Sequence, residues 1–592
     1  MAHTLNRASR SSRSLRRAAG IPVPKFGSLL KEVGDEGRHQ NLLLYAVLLP
    51  LSLYIPFGSS SLRLLLSTPD HHCKVPGREL FNVSKSLWRK ITIPWTRSDD
   101  GRVRFSRCLM RNVTITQDPS AGITNIAIDP YANTSCQYGT VYDHSAWQAT
   151  ASTTYNLVCD DAYVVPLIFG SAVAANVIGT LLFSFMADRY GRRPTFFTCL
   201  VLSSVFGLMN LFSPNWQVFA ATKFLSSMPY FALYQLPYII LVELSSDRMR
   251  GRTAALCSIS ITIGLGLLAL LAWLVNHWKK LGALCYLPSV AFFIYLRYLP
   301  ESPRWLLDRG RVVQCGKILQ QIAERNQKGE PPDLLPTLEL MYQQQTKLPR
   351  FLTLITVPNL RKRIIIVTLK TCVLCVSHSG ILYNIRNVTS NEFVNFFALS
   401  LVDIPGNLLG MASAQFLGRR LTTVYTQFIA AGFCFLASVT TSSQLPLTVL
   451  CSLGKLFLTS TVLVVFMQVG ELFPTCQRAI AYGISGSLGL ASSAAVPSIM
   501  ALGHWSPSLP YCVLGMLCII GALISCLLPE TMKRPLPQTI SEANAIGNLH
   551  KLCGCISLCG ADKQKEEVNH NMDFSGSDEE LSGGGMTSRI YV

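Results

Sequence analysis

The stretch GTLLFSFMADRYGRRP, Gly179 to Pro194, decides how this chain is read. An apolar helical run ends at Ala187, and Asp188, Arg189, Tyr190, Gly191, Arg192 and Arg193 follow at once. A second apolar run starts at Thr195. A short basic turn between two membrane-length segments marks the cytoplasmic side, because Lys and Arg in short loops stay inside. The whole chain fits that reading. It has 592 residues, 49% hydrophobic and 14% charged, against about 25% charged for a soluble chain. The net charge of +19 brings no compact basic domain with a nucleic-acid recognition motif. It is read instead as Lys and Arg at cytoplasmic loops and tails facing anionic lipid.

Working outward, residues 1–40 are polar and basic, with no apolar signal-peptide core, and read as a cytoplasmic tail. The first span is expected at about Asn41 to Ser60, since a helix needs about 20 apolar residues to cross. A polar stretch from Ser67 to Asp161 follows, with sequons at Asn82, Asn112 and Asn133 and with Cys73, Cys108, Cys136 and Cys159. Sequons and persistent disulfides both belong outside. Four cysteines allow three pairings, among which the sequence does not choose. His71 and His72 beside Cys73 bring no converging ligand set, and no metal or cofactor is expected.

Spans two to six are expected at about Tyr163–Ala187, Thr195–Phe212, Val218–Val242, Thr253–Val275 and Leu281–Leu299. Arg248, Arg250 and Arg252 fall on the same side as the Arg189 turn. A polar, helix-prone segment over 301–363 then pairs Leu319 with Ile322 and Leu338 with Met341, a spacing that predicts short amphipathic helices. Six more spans are expected at about Ile364–Ile385, Glu392–Phe416, Thr422–Val439, Leu445–Gly470, Ala479–Leu502 and Tyr511–Leu528. A further sequon, Asn387, falls outside, and residues 530–592 form a second cytoplasmic tail. The expected fold is all-α, twelve membrane helices in two six-helix halves, 41–300 and 364–529. DRYGRR after the second span is echoed by QFLGRR (Gln415–Arg420), and PESPRW after the sixth by PETMKR (Pro529–Arg534). The echo lacks the acid, with Gln415 where Asp188 stands in the first half.

D-R-x-G-R-R resembles the signature loop of the major facilitator superfamily. TPDHHCKVP (68–76), NLVCDDAY (156–163), PESPRWLL (300–307), GKLFLT (454–459) and ELFPTCQR (471–478) resemble the organic cation and organic anion transporters of solute carrier family 22. The resemblance covers most of residues 41–540 and implies transport of small organic ions by alternating access. It also suggests a gate of charged pairs: Asp188 with Arg252, Arg189 or Arg193 with Glu243, Glu301 with Arg304, and Glu471 with Arg478. Gly191 and Arg192 complete that group. The alternative is plain topology marking by positive charge.

For substrate, an intramembrane charge is rarely idle. Asp403, in LSLVDIPGN, is a candidate cation contact or a structural partner of Lys370 or Lys455. His378 is a candidate titrating group or a packing residue. Tyr230, Tyr234 and Tyr238 share one helical face, which suits a cation through ring faces or simple packing. Twelve residues beyond Arg478, the family tends to carry Asp in cation carriers and Arg in anion and zwitterion carriers. This chain has Leu490. The candidate substrate residues are Tyr234, Tyr238, Asp403, Leu490 and Lys370, with an organic cation or zwitterion favoured. An organic anion carrier and a transport-inactive receptor or scaffold are the alternatives; no G-x-x-x-x-G-K-[ST] loop and no catalytic set supports an enzyme. In the last tail, Cys553, Cys555 and Cys559 are candidates for palmitoylation, SGSDEE (575–580) for phosphorylation, and the terminal Arg-Ile-Tyr-Val for a PDZ-domain partner.

Overall fold

The computed structural model describes residues 26–78, 83–97, 103–118, 122–145, 147–329, 331, 333–343, 353–384, 392–441, 444–532, 534, 536–538 and 542–543. Asn82, Asn387 and the features of the last tail lie outside these residues. Eleven helices among them are long and apolar enough to cross a membrane. In chain order they are Arg38–Leu65, Cys159–Tyr190, Trp216–Glu243, Arg248–Val275, Trp278–Leu296, Pro358–Leu382, Phe393–Phe416, Arg419–Val439, Leu445–Leu472, Thr475–His504 and Leu509–Cys526. The expected third span is the helix Arg192–Asn210. Its opening arginines and internal Ser and Thr dilute its hydropathy, yet Phe196, Cys199 and Leu200 are fully buried. Counting it, the spans number twelve and are named below by ordinal.

The turns quoted above have a specific construction, repeated in each half. Gly191 has φ 117° and Gly418 has φ 90°, a region that costs a side-chain-bearing residue energy. A Cβ on Gly191 would lie 2.4 Å from Glu301 Oε2, and one on Gly418 would lie 2.7 Å from Glu530 Oε2. Each glycine therefore clears a seat for a carboxylate over the start of the next helix. Glu301 accepts the N–H groups of Arg192 (3.1 Å) and Arg193 (3.2 Å). Glu530 accepts those of Arg419 (2.9 Å) and Arg420 (2.9 Å). Unpaired N–H groups and the helix dipole make such an end favourable for an anion. The echo of PESPRW in PETMKR is thus the echo of this seat.

Small residues bring the helices close enough for the site. A Cβ on Gly483 of the eleventh span would lie 2.6 Å from the Ser184 Cβ of the second. One on Gly406 of the eighth would lie 2.6 Å from the Leu456 carbonyl of the tenth. Pro229 interrupts the fourth span, separating helices Trp216–Ser227 and Tyr230–Glu243.

The polar stretch after the first span forms three antiparallel strand pairs: His71–Cys73 with Thr140–Tyr142, Trp95–Arg97 with Val103–Phe105, and Leu109–Asp118 with Gly122–Ser135. Disulfides join Cys73 to Cys136 and Cys108 to Cys159, one of the three pairings left open above. His71 Nε2 stands 3.9 Å from the Cys108 sulfur and 4.0 Å from that of Cys159, both already bonded to each other. Between the halves lie helices Pro303–Asp308, Val312–Arg325 and Leu334–Gln343. Leu319, Ile322, Leu338 and Met341 are buried there, as their spacing predicts. Phe26 and Leu29 of the helix Phe26–Val33 join that core. The first tail is therefore not uniformly polar surface.

Candidate functional site

The charged turns meet in a latch that crosses from one half to the other. Glu243, at the end of the fourth span, is completely buried. It accepts from Arg478 Nη1 at 2.8 Å and faces Arg192 Nη2 at 3.5 Å, with both arginines equally buried. Ser302 Oγ donates to its other oxygen. Arg192 also pairs with Asp188 at 3.3 Å and donates to the Thr475 carbonyl at 2.7 Å. Asp188 accepts the Ile480 N–H at 2.9 Å. Three contacts thus span the halves: Arg478 to Glu243, Arg192 to Thr475, and Ile480 to Asp188.

The same arrangement recurs in the second half. Arg419 pairs with Glu471 at 3.1 Å, and Thr531 Oγ1 donates to Glu471 at 2.6 Å. Gln415 points back toward the first half, since a Cβ on Gly251 would meet its Nε2 at 3.3 Å.

The latch corrects the expected pairings. Asp188 pairs with Arg192, four residues on across the Gly191 turn, while Arg252 bonds Tyr45 and lies over its ring. Arg192, not Arg189 or Arg193, reaches Glu243. Arg189 is exposed beside the Tyr190 ring, and Arg193 donates to the Leu296 carbonyl at 2.5 Å. Glu301 takes backbone N–H groups, and Arg304 Nε donates to the Glu243 carbonyl at 2.8 Å. Glu471 binds Arg419, leaving Arg478 to cross to the other half. Spacing along the chain could not show these pairings, because the partners come from packed helices distant in sequence.

Next to the latch, aromatic rings close the space between the halves. Phe466 of the tenth span lies 5.4 Å from the Tyr234 ring, 4.8 Å from Tyr238 and 4.8 Å from Tyr482. Gln235 Nε2 donates to the Ala479 carbonyl at 3.2 Å, again across the halves. The expected stripe divides here. Tyr234 and Tyr238 face the second half, whereas Tyr230 packs against Gly58 inside the first. Phe466 was not legible as a partner, being one apolar residue in an apolar span.

Asp403 begins the second helical piece of the eighth span. Pro405 has no N–H to give and clashes with the carbonyl four residues back, Leu401, where the first piece ends. Asp403 then lies in the first turn of a new helix, a favourable position for an anion. Its carboxylate pairs with Lys455 Nζ at 2.6 Å and accepts from Thr459 Oγ1 at 2.7 Å. Lys455 also donates to the Leu399 carbonyl at 2.7 Å. His378 lies within electrostatic reach of both charges. Of the two lysines considered, Lys455 is the partner. Lys370 is fully buried inside the second half, donating to Gln468 Oε1 at 2.9 Å and Thr423 Oγ1 at 3.1 Å. Leu490 is half-buried, and its neighbour Gly489 packs against Thr371 and Cys375 of the seventh span.

Two helical halves, carboxylate seats in both and a charged latch between them define a membrane transporter of the major facilitator type. The family model described as sugar (and other) transporter matches residues 130–541, and the chain belongs to that family. It is 28% identical to organic cation transporter 1 of Caenorhabditis elegans over 536 residues, 88% of this chain and 89% of that protein. It is 27% identical to human organic cation/carnitine transporter 2, covering 86% of this chain and 92% of that protein. Relatives named as members of solute carrier family 22 match as well. Among solved structures, the proton:xylose symporter XylE matches with TM-score 0.54 at 17% identity, over 66% of this chain and 90% of that one, a likeness of fold. The family and relatives are transporters and not enzymes.

Proposed function

We propose that this protein carries small organic cations or zwitterions across the plasma membrane by alternating access, with both termini cytoplasmic. The arrangement described corresponds to a closed cytoplasmic latch, with the strand-bearing loop outside and Asn112 and Asn133 glycosylated. The observation that carries the reading is Asp403: a carboxylate far from either end of its span, held by Lys455 and Thr459 and still partly accessible. An incoming ammonium competes with Lys455 for that carboxylate, and a zwitterion offers its own carboxylate to the displaced lysine. Relatives named as organic cation and carnitine transporters support the same class. Tyr234 and Tyr238, sealed by Phe466, form the floor beneath the bound ion and part when the latch opens. Leu490 removes the usual charge selector, which leaves selection to Asp403.

Uptake of labelled cations, zwitterions and anions into oocytes, compared with uninjected cells, tests the proposal. We expect saturable uptake of a cation or zwitterion, reduced at least about tenfold in Asp403→Asn with unchanged surface labelling. A tenfold loss corresponds to about 1.4 kcal/mol of binding. Uptake confined to anions, or uptake indifferent to Asp403→Asn, overturns it. No uptake from a full panel by surface-expressed protein favours the receptor reading.

A further inference from the structure

The first span carries a groove that neither the latch nor Asp403 uses. Tyr45, Leu49, Leu53 and Phe57 line it at four-residue steps, which is one helical face. Pro288 and Phe292 of the sixth span form the opposite wall, again four residues apart. The volume between them is about 490 Å³. From Tyr45 to Phe57 the face runs about 18 Å at the helical rise. One leaflet supplies about 15 Å of hydrocarbon, half of the ~30 Å core. The groove therefore has the length of one leaflet.

Irregular winding of both walls keeps them apart. The first span makes a wide π-helical turn over Leu43–Leu48, just before Pro50. The sixth contains Pro288 and tightens to a 3₁₀ turn over Phe292–Leu296. Such turns and prolines bend a helix away from flush packing. The fifth span does pack flush on the first. Ser260 Oγ donates to the Leu49 carbonyl at 2.9 Å, and a Cβ on Gly264 would lie 2.2 Å from the Leu53 carbonyl oxygen. With that hydroxyl committed, the walls present hydrocarbon. The Tyr54 and Phe292 rings meet at 5.0 Å on the buried floor. Pro50 and Pro288 are exposed at the rim, beside exposed Leu287 and Val290. Such an apolar rim opens toward lipid, since polar residues mark a water-filled cavity.

One end of the groove is cationic. Arg252 of the fifth span donates to Tyr45 Oη and lies 5.8 Å from the Tyr45 ring centroid. Its guanidinium carries five N–H donors, and Tyr45 takes one. Arg248, four residues earlier on the same helical face, is exposed as Arg252 is. Neither pairs with a carboxylate among the described residues. Arginines at the cytoplasmic end of a span attract anionic headgroups, and a guanidinium fits phosphate through paired N–H groups. We propose that this groove binds one anionic glycerophospholipid of the cytoplasmic leaflet. One acyl chain lies along the first span and the headgroup phosphate sits on Arg252. A sterol brings only a hydroxyl to that end, and a zwitterionic headgroup brings an ammonium toward Arg248. The leaflet rests on the orientation proposed above, and the binding itself does not.

The test uses the purified full-length protein in nanodiscs of phosphatidylcholine with a minor fraction of phosphatidylserine. Both leaflets are alike, so neither transport nor orientation enters. Lipids retained after transfer to detergent are counted by native mass spectrometry. We expect the wild type to keep one phosphatidylserine per chain in preference to the more abundant phosphatidylcholine. Arg252→Gln lowers that preference about tenfold, the scale of one hydrogen bond to a charge. Leu49→Trp, which fills the groove, lowers retention of both lipids. A wild type without preference overturns the proposal, as does Arg252→Gln protein with the wild-type preference or retention unchanged by Leu49→Trp. Should Leu49→Trp fail to fold, phosphatidylserine with a diazirine midway along one acyl chain decides in the wild type. Crosslinks concentrated between Leu49 and Phe57 sustain the site, and crosslinks spread evenly over the membrane-facing helices sink it.

Discussion

The two halves of the latch are built alike and differ by one charge. Gly191 and Gly418 make the same left-handed turn, Glu301 and Glu530 sit over the same helix starts, and Arg192 and Arg419 face Glu243 and Glu471. Even the hydroxyl donors match, Ser302 for Glu243 and Thr531 for Glu471. Asp188 then gives the first half an anion that seizes the Ile480 N–H, while Gln415 offers a neutral amide near Gly251. A duplicated scaffold has kept its seats and changed what crosses between them. The contacts that hold the halves together at this end are therefore expected to be unequal in strength.

The largest test of that inequality is Glu243→Gln. It leaves Arg478 and Arg192 buried without their shared anion, and breaking a buried pair from one side costs about 3–5 kcal/mol. We expect a fall of many degrees in unfolding temperature and near-complete loss of surface expression. Glu471→Gln breaks the pair with Arg419 inside the second half, whereas Glu243→Gln strands two arginines, one of them across the halves, so a smaller fall is expected. Equal losses from the two substitutions would break the comparison. Because one substitution can act by misfolding, Arg478→Gln combined with Glu243→Gln should recover part of the loss, as removing both partners relieves the stranded charge.

The sequence made the frame legible because hydrophobic length and Arg-rich turns are direct consequences of the bilayer. The repeated PE motifs revealed that two turns are equivalent, and QFLGRR showed which charge was missing. The cross-half pairing was hidden. Arg478 stands near Glu471 in the chain, yet binds Glu243 across the packed fourth and eleventh spans. The split of the tyrosine stripe followed from the same ignorance of neighbours. Helical phase shows that Tyr230 and Tyr234 are near each other and not which half each one meets.

A middle-sized effect is expected from equalising the halves. Gln415→Asp creates on the second half the pair that Asp188 makes with Arg192, here toward Arg419, and turns a carboxylate toward the first half near Gly251, as Asp188 is turned toward the Ile480 N–H. If the single charge is the source of the asymmetry, the variant closes the latch more firmly. We expect an unfolding temperature higher by a few degrees, about 1–2 kcal/mol for a charge-assisted bond, and uptake slowed several-fold because opening now breaks one more contact. Asp188→Asn should do the opposite, lowering stability and loosening the closed state. Faster uptake by Gln415→Asp would mean that Gln415 is not a weakened gate contact.

The smallest effect concerns the Glu301 seat and its response to pH. Burial holds the Glu301 carboxyl above its ordinary range, against the Ser302, Arg193 and Arg192 N–H groups and the Arg192 charge, all of which favour ionisation. A carboxyl raised in the folded protein binds its proton more readily there than in the unfolded chain. Its stabilising contribution is therefore full below the ordinary glutamate value of about 4.3 and is lost as pH rises through the raised one. Over that window the unfolding temperature of the wild type should carry a shallow downward component. Glu301→Gln, which cannot titrate, should flatten it. An unchanged slope in Glu301→Gln would show that the seat keeps its carboxylate ionised throughout. The hydrogen bonds and the Arg192 charge would then outweigh burial.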